Sequence, residues 1–295
     1  MAAPTQPTPT LIVTEAYRQF GLTASAAQIT TAIAEGIEKV KRDIWALGKR
    51  FKLLRTIQYK ALKVGVSRYA NPSDFEADVE GPGMSLLDGN SRSTLQGAAA
   101  GTATLAAAEG ASQSQAEGHL LMITSGTGIN QAEQIDDYDT STKVATMRAN
   151  WGTTPAAADA YLLVDSHYPV WKKAWPRRAN YIQPMLAGKP REAFEMAGGS
   201  EGFIELYPVP DKVYGLKRDY YANLTLVDTS SDLYNVIMRN WAGVFTQGIL
   251  VWIMASYDDT RRRTEEEIYR GMLKQLQANE LDYHQQSNLQ QKVID

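Results

Sequence analysis

Ile29, Ile33, Ile37, Val40, Ile44 and Leu47 recur at intervals of 4, 4, 3, 4 and 3, the spacing of one helix face, with Glu35, Glu38, Lys39 and Arg42 on the other side. Ser25-Ala-Ala-Gln28 ahead of this stripe has capping-box spacing, in which the serine oxygen takes an orphan N–H three residues on. Gly48 behind it supplies a stop. A shorter helix is predicted over 14–20, closed by Gly21. From Phe51 the period changes to two. Leu62, Val64 and Val66 alternate with Lys63, Gly65 and Ser67 as in a half-buried strand, and Pro72 ends its pairing.

Residues 91–118 contain no aromatic side chain and consist almost wholly of Ala, Gly, Ser, Thr and Gln. Beyond them the pattern is β, with strands predicted over 120–124, 131–138, 142–148 and 161–164. Gly126-Thr-Gly128, Asp139-Thr-Ser141 and Trp151-Gly-Thr-Thr-Pro155 punctuate them, as in a small β-sandwich or barrel. Residues 186–199 carry no pattern that assigns an element, whereas 203–207 and 213–221 read as a hairpin around Pro208-Val-Pro-Asp211. A helix begins near Ser230-Ser-Asp232 and carries Leu233, Ile237, Trp241, Val244, Phe245, Ile249 and Trp252 at helical spacing. A third opens after Asp258-Asp-Thr260, with a stripe of Tyr269, Met272, Leu273 and Leu276. The Gln/Asn-rich end, 281–295, has neither stripe nor caps and is expected to be disordered or to order only against a partner.

The expected fold class is α+β. A helical core of three main helices plus β-hairpins, formed by 13–82 and 170–280, carries an inserted β-sandwich or barrel module at 83–169. Residues 1–12 are expected to be a disordered tail; Met1 to Thr10 has neither the basic nor the apolar region of a signal peptide. The most apolar run, Trp241 to Ala255, is broken by Gly243, Thr246, Gln247 and Gly248, short of the ~20 apolar residues of a membrane span, so a soluble protein with a buried core helix is expected.

Thirty Lys+Arg against 33 Asp+Glu give a net charge of −3, which argues against a chain that grips nucleic acid through phosphates. At 295 residues, 44% apolar and 21% charged, the chain can bury a core as one large domain or two modest ones. The absence of cysteine removes disulfides, thiolate metal sites and cysteine nucleophiles together.

The chemical motifs are incomplete. Gly126-Thr-Gly128 lacks the third glycine and following helix of a dinucleotide fingerprint, and reads as a hairpin turn. Asp136, Asp137 and Asp139 lack the central glycine and terminal glutamate of a calcium loop. His119, His167 and His284 stand at no ligand spacing, and neighbours in Asp165-Ser166-His167 point to opposite faces of an extended chain. Asn223-Leu-Thr225 is a glycosylation sequon by letter alone, with nothing that directs the chain to a secretory route. Arg261, Arg262 and Arg263 read either as a solvated face paired with Glu265 to Glu267 or as a contact to an acidic partner or to DNA. Trp171, Trp175 and Tyr181 with Lys172, Lys173, Arg177 and Arg178 read either as a packed linker with solvated basic residues or as a stacking surface for nucleic acid. No catalytic residue, cofactor or metal site emerges.

The order of these elements resembles the head-to-tail adaptor (connector, or neck) proteins of tailed bacteriophages. The resemblance rests on the capped helix 25–47 and on Tyr69-Ala-Asn-Pro-Ser-Asp-Phe75, similar to a Y-x-x-P-x-D-F element of these proteins. It continues through Leu206-Tyr-Pro-Val-Pro-Asp-Lys-Val-Tyr214, Tyr220-Tyr221 and the closing helix pair with Asp258-Asp259 between. Ser125-Gly-Thr-Gly-Ile-Asn-Gln131, Ile135-Asp-Asp-Tyr138, Val144-Ala-Thr146, Trp151-Gly-Thr-Thr-Pro155 and Tyr161 are similar to a β-module that recurs in phage structural proteins.

The resemblance implies a non-enzymatic structural virion protein, made in the host cytoplasm and placed in the neck. It implies a dodecameric ring beneath the portal, around a channel for double-stranded DNA that is not read by sequence. The partners implied are the portal protein, further copies of the chain, and a tail nozzle, tail-tube or head-closure protein; no membrane is implied. Residues 281–295 become a portal-binding arm, with Leu281, Tyr283, Leu289, Val293 and Ile294 as contacts. Arg261, Arg262, Arg263, Lys172, Lys173, Arg177 and Arg178 become candidate contacts to a partner or to DNA in the channel. Two other readings stand beside it: a tail-tube, tail-completion or capsid-decorating protein sharing the β-module, and a virion-associated hydrolase drawing on Asp136, Asp137 and Asp165, which nothing in the sequence fixes across a cleft.

Overall fold

Helix starts earlier than the hydrophobic stripe suggests, at a Thr-Pro pair. The computed structural model of the chain describes residues 8–48, 51–79, 83–173, 186–196, 201–227, 229 and 231–292. The helices are α1 (Pro9–Phe20), α2 (Ala26–Thr31), α3 (Glu38–Leu47), α4 (Gln113–Ala116), α5 (Asp232–Ser256) and α6 (Arg262–Lys292). The chain is of mixed α+β class and divides into two compact units, 1–55 with 221–295, and 56–220.

In the first unit, Thr8 Oγ1 accepts the Leu11 N–H at 3.2 Å and Pro9 sits where a missing N–H costs nothing. Residues 9–12 are thus helix rather than disordered tail. Gly21, at φ 88°, closes α1 in the left-handed conformation that glycine adopts without strain. The capping box forms as spaced, with Ser25 Oγ accepting the Gln28 N–H at 3.3 Å and Gln28 Oε1 accepting the Ser25 N–H at 2.9 Å. A π-helical turn, Ala32–Ile37, joins α2 to α3, and Ile37, Val40 and Ile44 are wholly buried. The central helix is α5, with Ile237, Phe245, Ile249 and Ile253 fully buried. It packs against α1, α3 and α6. A side chain at Gly248 would lie 2.5 Å from Val40 and 2.9 Å from Tyr269, so glycine lets the three helix backbones close together. By length and composition alone α5 is apolar enough to cross a membrane, and 56% of its most apolar window is buried inside the protein. Asp259 Oδ1 accepts the Arg261 N–H at 2.8 Å ahead of α6, and Tyr269, Leu273 and Leu276 are its buried stripe. Residues 281–292 continue α6 as helix, in a stretch whose sequence suggests disorder or order only against a partner.

The strands are β1 (Arg55–Leu62), β2 (Arg68–Ala70), β3 (Phe75–Asp78), β4 (Met84–Asp88), β5 (Ser91–Thr94), β6 (Gly97–Ala99), β7 (Thr102–Thr104), β8 (Leu120–Ile123), β9 (Ala132–Asp139), β10 (Val144–Met147), β11 (Ala160–Val164), β12 (Ser166–Pro169), β13 (Trp171–Lys173), β14 (Ala187–Gly188), β15 (Glu192–Met196), β16 (Phe203–Tyr207), β17 (Val209–Pro210) and β18 (Tyr214–Ala222). A seven-stranded sheet runs β5-β11-β8-β9-β10-β7-β6, antiparallel throughout. Its two end strands are neighbours in the chain, separated only by Leu95 and Gln96, so the order returns on itself. One hydrophobic cluster draws only on this stretch, from Leu95 to Leu163, including Tyr138, Trp151 and Tyr161. A second joins Leu62, Tyr69, Met84 and Leu86 to Val170, Ala193, Ile204, Leu206, Tyr214 and Leu216 on either side. The flanking segments 56–79 and 201–220 thus share a unit with the β-block rather than with the helices.

Two predicted strand patterns fail for local reasons. Val64 and Val66 are exposed in a turn, because β1 stops at Leu62 and Gly65 adopts φ 74°. The hairpin predicted over 203–221 does not form: β16 lies between β15 and β2, whereas β18 pairs with β4 in another sheet. Pro208 and Pro210 lack the N–H that a continuous ladder needs, and Val209–Pro210 instead pairs in parallel with β14, inside the stretch that showed no pattern.

Those two sheets are tied by buried charge. Arg218 on β18, 1% exposed, donates to Asp78 Oδ1 at 2.6 Å and to Asn71 Oδ1 at 2.7 Å, and its guanidinium lies 4.1 Å from the Phe75 ring centroid. Lys172 on β13 reaches the other oxygen of Asp78 at 2.8 Å and also pairs with Glu195 on β15. Replacing Arg218 with alanine takes one of two cations from Asp78 in a water-poor site, and the expected loss is about 3 kcal/mol, the low end for breaking a buried pair because Lys172 remains. Urea unfolding followed by a probe in 56–220 should show it, with Arg218→Lys falling between the two because it keeps charge but not the fork.

Candidate functional site

The motifs that look chemical in the sequence are clamps between turns. Gly126 and Gly128, at φ 82° and 76°, lie in the turn that joins β8 to β9. Gly126 is also hemmed in by Asp159, whose Oδ1 would lie 1.8 Å from an added side-chain carbon. Gln131 Nε2 donates to Gly128 O at 3.0 Å and Thr153 O at 2.9 Å, while its Oε1 accepts the Thr153 N–H at 2.8 Å. One amide thus fastens the Gly126 turn to the Trp151–Pro155 turn. The neighbouring Asn130 Oδ1 accepts the Ala61 N–H at 2.8 Å, docking that turn on β1.

The acidic residues behave likewise. Asp136 and Asp137 are exposed on β9, and Asp139 accepts from Ser141 N–H at 2.7 Å and Thr142 Oγ1 at 2.8 Å, closing the β9–β10 turn. Those hydrogen bonds hold its carboxyl well below the usual carboxylate range. Asp165 accepts from Ser166 Oγ and from Asn90 N–H, so the serine is turned to the aspartate and not to His167. His167 is pushed down from its ordinary pKa by burial and by the positive charge of Lys217 and His119. Among the described residues no group of three or more His, Asp or Glu is placed to hold a metal.

One polar cleft of about 590 Å³ opens in the β-block, walled by β5, the 106–111 loop, α4, His119 and Asp165. At its floor Glu109, 7% exposed, accepts from Tyr161 Oη at 2.6 Å, from Ala111 N–H at 3.1 Å and from Ser91 Oγ. Burial alone would raise its pKa; the donors overcome that and hold it lowered. A carboxylate kept ionised by this many donors is a poor proton source, and its evident work is to pin an alanine-rich loop to the sheet. The sequence reading passed over Glu109; a lone acid in a run of Ala and Gly was the available signal.

The basic candidates separate by environment. Lys172 pairs with both Asp78 and Glu195, and Lys173 lies 4.0 Å from Glu192, so each partly exposed ammonium has a carboxylate beside it. Arg177 and Arg178 lie outside the described residues, as do Val293 and Ile294. Arg261 pairs with Asp259 at 2.8 Å and lies 5.6 Å from the Phe20 ring, rather than pairing with Glu265. Arg262 is exposed, and Arg263 is 93% exposed and 3.8 Å from Glu267. Leu281, Tyr283 and Leu289 fall on the continuing backbone of α6.

α6 is anchored over its first half. Gln247 Nε2 meets Glu265 Oε2 at 2.7 Å, Tyr269 packs at Gly248, and Met272 Cε lies 3.3 Å from where a side chain at Gly243 would begin. The two helices are therefore antiparallel along this stretch. α5 leaves helical geometry at Trp241 (φ −115°, ψ 17°), whereas the backbone of α6 continues as helix to Lys292.

No protein-family model matches the chain, and no curated protein matches it.

Glu109 supplies a pH test. Its folded-state pKa is depressed below the ordinary 4.5, so its stabilisation is present above that value and lost as pH falls through the folded pKa. Glu109→Gln should melt earlier than the wild type at neutral pH, with the gap closing below about pH 4. Melting temperature against pH reads it directly.

Proposed function

We propose that the chain is a structural virion protein, a head-to-tail adaptor of a tailed bacteriophage that forms a ring beneath the portal and joins it to the tail around the DNA channel. The helices of 9–47 and 232–280 serve as the ring-forming core, and 83–169 is a β-module inserted in the chain, offered to the next tail component. The protein acts by assembly in the neck of the virion. Its partners are further copies of itself in a dodecameric ring, the portal, a tail nozzle, tail-tube or head-closure protein, and the double-stranded DNA that passes through.

The observation that supports this reading is the length of α6, whose helical backbone continues past its buried stripe of Tyr269, Leu273 and Leu276 as far as Lys292. A long helix whose direction is fixed by a buried stripe in its first half suits insertion of its end into a neighbouring protein. Repetition around a ring multiplies weak docking of each arm through avidity. The motif residues also favour assembly over catalysis, since Gln131, Asn130, Asp139 and Asp165 are spent on turns.

The test is binding to isolated portal rings. The full chain should decorate the portal vertex in sedimentation and particle imaging, and a chain ending at Glu280 should bind at least tenfold more weakly, ~1.4 kcal/mol or more. Binding to capsid lattice or tail tubes instead would favour a decorating or tail-completion role. Absence of binding to any virion part would overturn the structural reading.

A further inference from the structure

We infer that Asp88 organises a two-lysine site for a phosphate-type oxyanion. β14 and β17 pair in parallel with Gly188 opposite Pro210, so the chain leaves both strands at one level and carries Lys189 and Lys212 there together. β4 pairs with β18 with Leu87 opposite Gly215, which brings Asp88 to the same place. Lys212 Nζ lies 3.0 Å from Asp88 Oδ1 and Lys189 Nζ 3.0 Å from Oδ2. Arg92 also donates to Oδ1, and the Gly89 N–H donates to it at 2.9 Å. Asp88 is 8% exposed; burial opposes its ionisation, yet the lysines, Gly89 and Arg92 bring its pKa down to about 2.

Three cations share this one carboxylate, and among the described residues none of the three pairs with another. Arg92 is used up, because Nε donates to Val213 O at 3.1 Å and Nη1 to Gly89 O. The lysines are not. Each ammonium has three N–H donors, one directed at Asp88, and the side chains are 27% and 43% exposed. The neighbouring acids are engaged elsewhere, Asp211 by Tyr214 Oη at 2.8 Å and Asp165 by Ser166 and Asn90. Lys189 also lies 3.0 Å from the Tyr168 ring centroid, which further limits its wandering. Two rotamer-rich side chains are thus ordered in advance, and an oxyanion that bridges them loses less freedom on binding than at loose surface lysines. Lysine serves phosphate as a point charge, and two lysines held on the two oxygens of one carboxylate can turn their remaining donors to one phosphate.

Free phosphate and the phosphodiesters of duplex DNA share this chemistry; the DNA source rests on the adaptor reading, the oxyanion site does not. The full chain, Lys189→Gln/Lys212→Gln and the exposed-arginine control Arg18→Gln (Arg18 is 74% exposed and paired with Glu15) would be compared. Inorganic phosphate would be followed by phosphorus NMR line width, and a short labelled DNA duplex by anisotropy across a salt series. If DNA is the source, the double variant should bind more weakly and its log–log salt slope should flatten by about 0.9, the value for one neutralised phosphate, while Arg18→Gln changes neither in like measure. If free phosphate is the source, phosphate broadening disappears in the double variant and the DNA slope stays put. On the unmutated chain, phosphate or duplex should shield Lys189 and Lys212 from acetylation, read by mass spectrometry, a measurement that needs no variant to fold. No shielding, or a double variant equal to wild type in both titrations, overturns the site. A null DNA arm with a positive phosphate arm leaves the site and removes its link to the channel, whereas the adaptor reading itself stands or falls on portal binding.

Discussion

The β unit depends on bringing Arg218 and Asp78 together out of water. A guanidinium that is 1% exposed is tolerable only where every element around it is in register: β3 must deliver Asp78, β18 the arginine, and the turn after β2 must deliver Asn71. Lys172 and Glu195 complete an alternating arrangement, with Arg218 Nη2 3.9 Å from Glu195. Buried ion pairs add little net stability over apolar packing, because desolvation offsets the Coulomb gain. They do discriminate against wrong arrangements, since a slip of one residue in β18 would turn the arginine to the opposite face and leave the buried Asp78 to Lys172 without its guanidinium.

The same network explains why part of the sequence was misleading. Lys172 beside Trp171 has the composition of a nucleic-acid surface, and only the arrival of Asp78, ninety-four residues earlier in the chain, shows that it is neutralised. Charge read locally cannot see such partners. Helix signals, by contrast, were legible because their causes are local: the Ser25–Gln28 box, the Ile37–Val40–Ile44 stripe and the Gly21 stop each act within a turn or two. Short strands fell between these cases. β8, β9 and β11 showed in their hydrophobic runs, but the pairing of β16 and β18 was misjudged because adjacency in sequence suggested a hairpin while Pro208 and Pro210 redirect the chain into another sheet.

The candidate site divides along the same line. That the glycines, Asp139 and the Ser166–His167 pair complete no known catalytic or ligand motif is legible from the partners they lack in sequence, and the hydrogen bonds of Gln131 and Asp139 show the turns that these residues hold. Glu109 and Asp88 were not readable. Each draws its meaning from donors on distant segments: Tyr161 and Ser91 for one, Lys189 and Lys212 for the other.

Net charge is a poor guide to such a place. In a chain at −3, cations such as Lys172, Arg261 and Arg263 lie beside carboxylates, and the fields of such pairs cancel over a few ångströms. At Asp88 the count does not cancel, because three cations meet one carboxylate whose own burial prevents it from leaving. A weak, isolated positive spot on a near-neutral protein attracts an oxyanion without the cumulative grip of a basic stripe, since counterion release grows with the number of phosphates met.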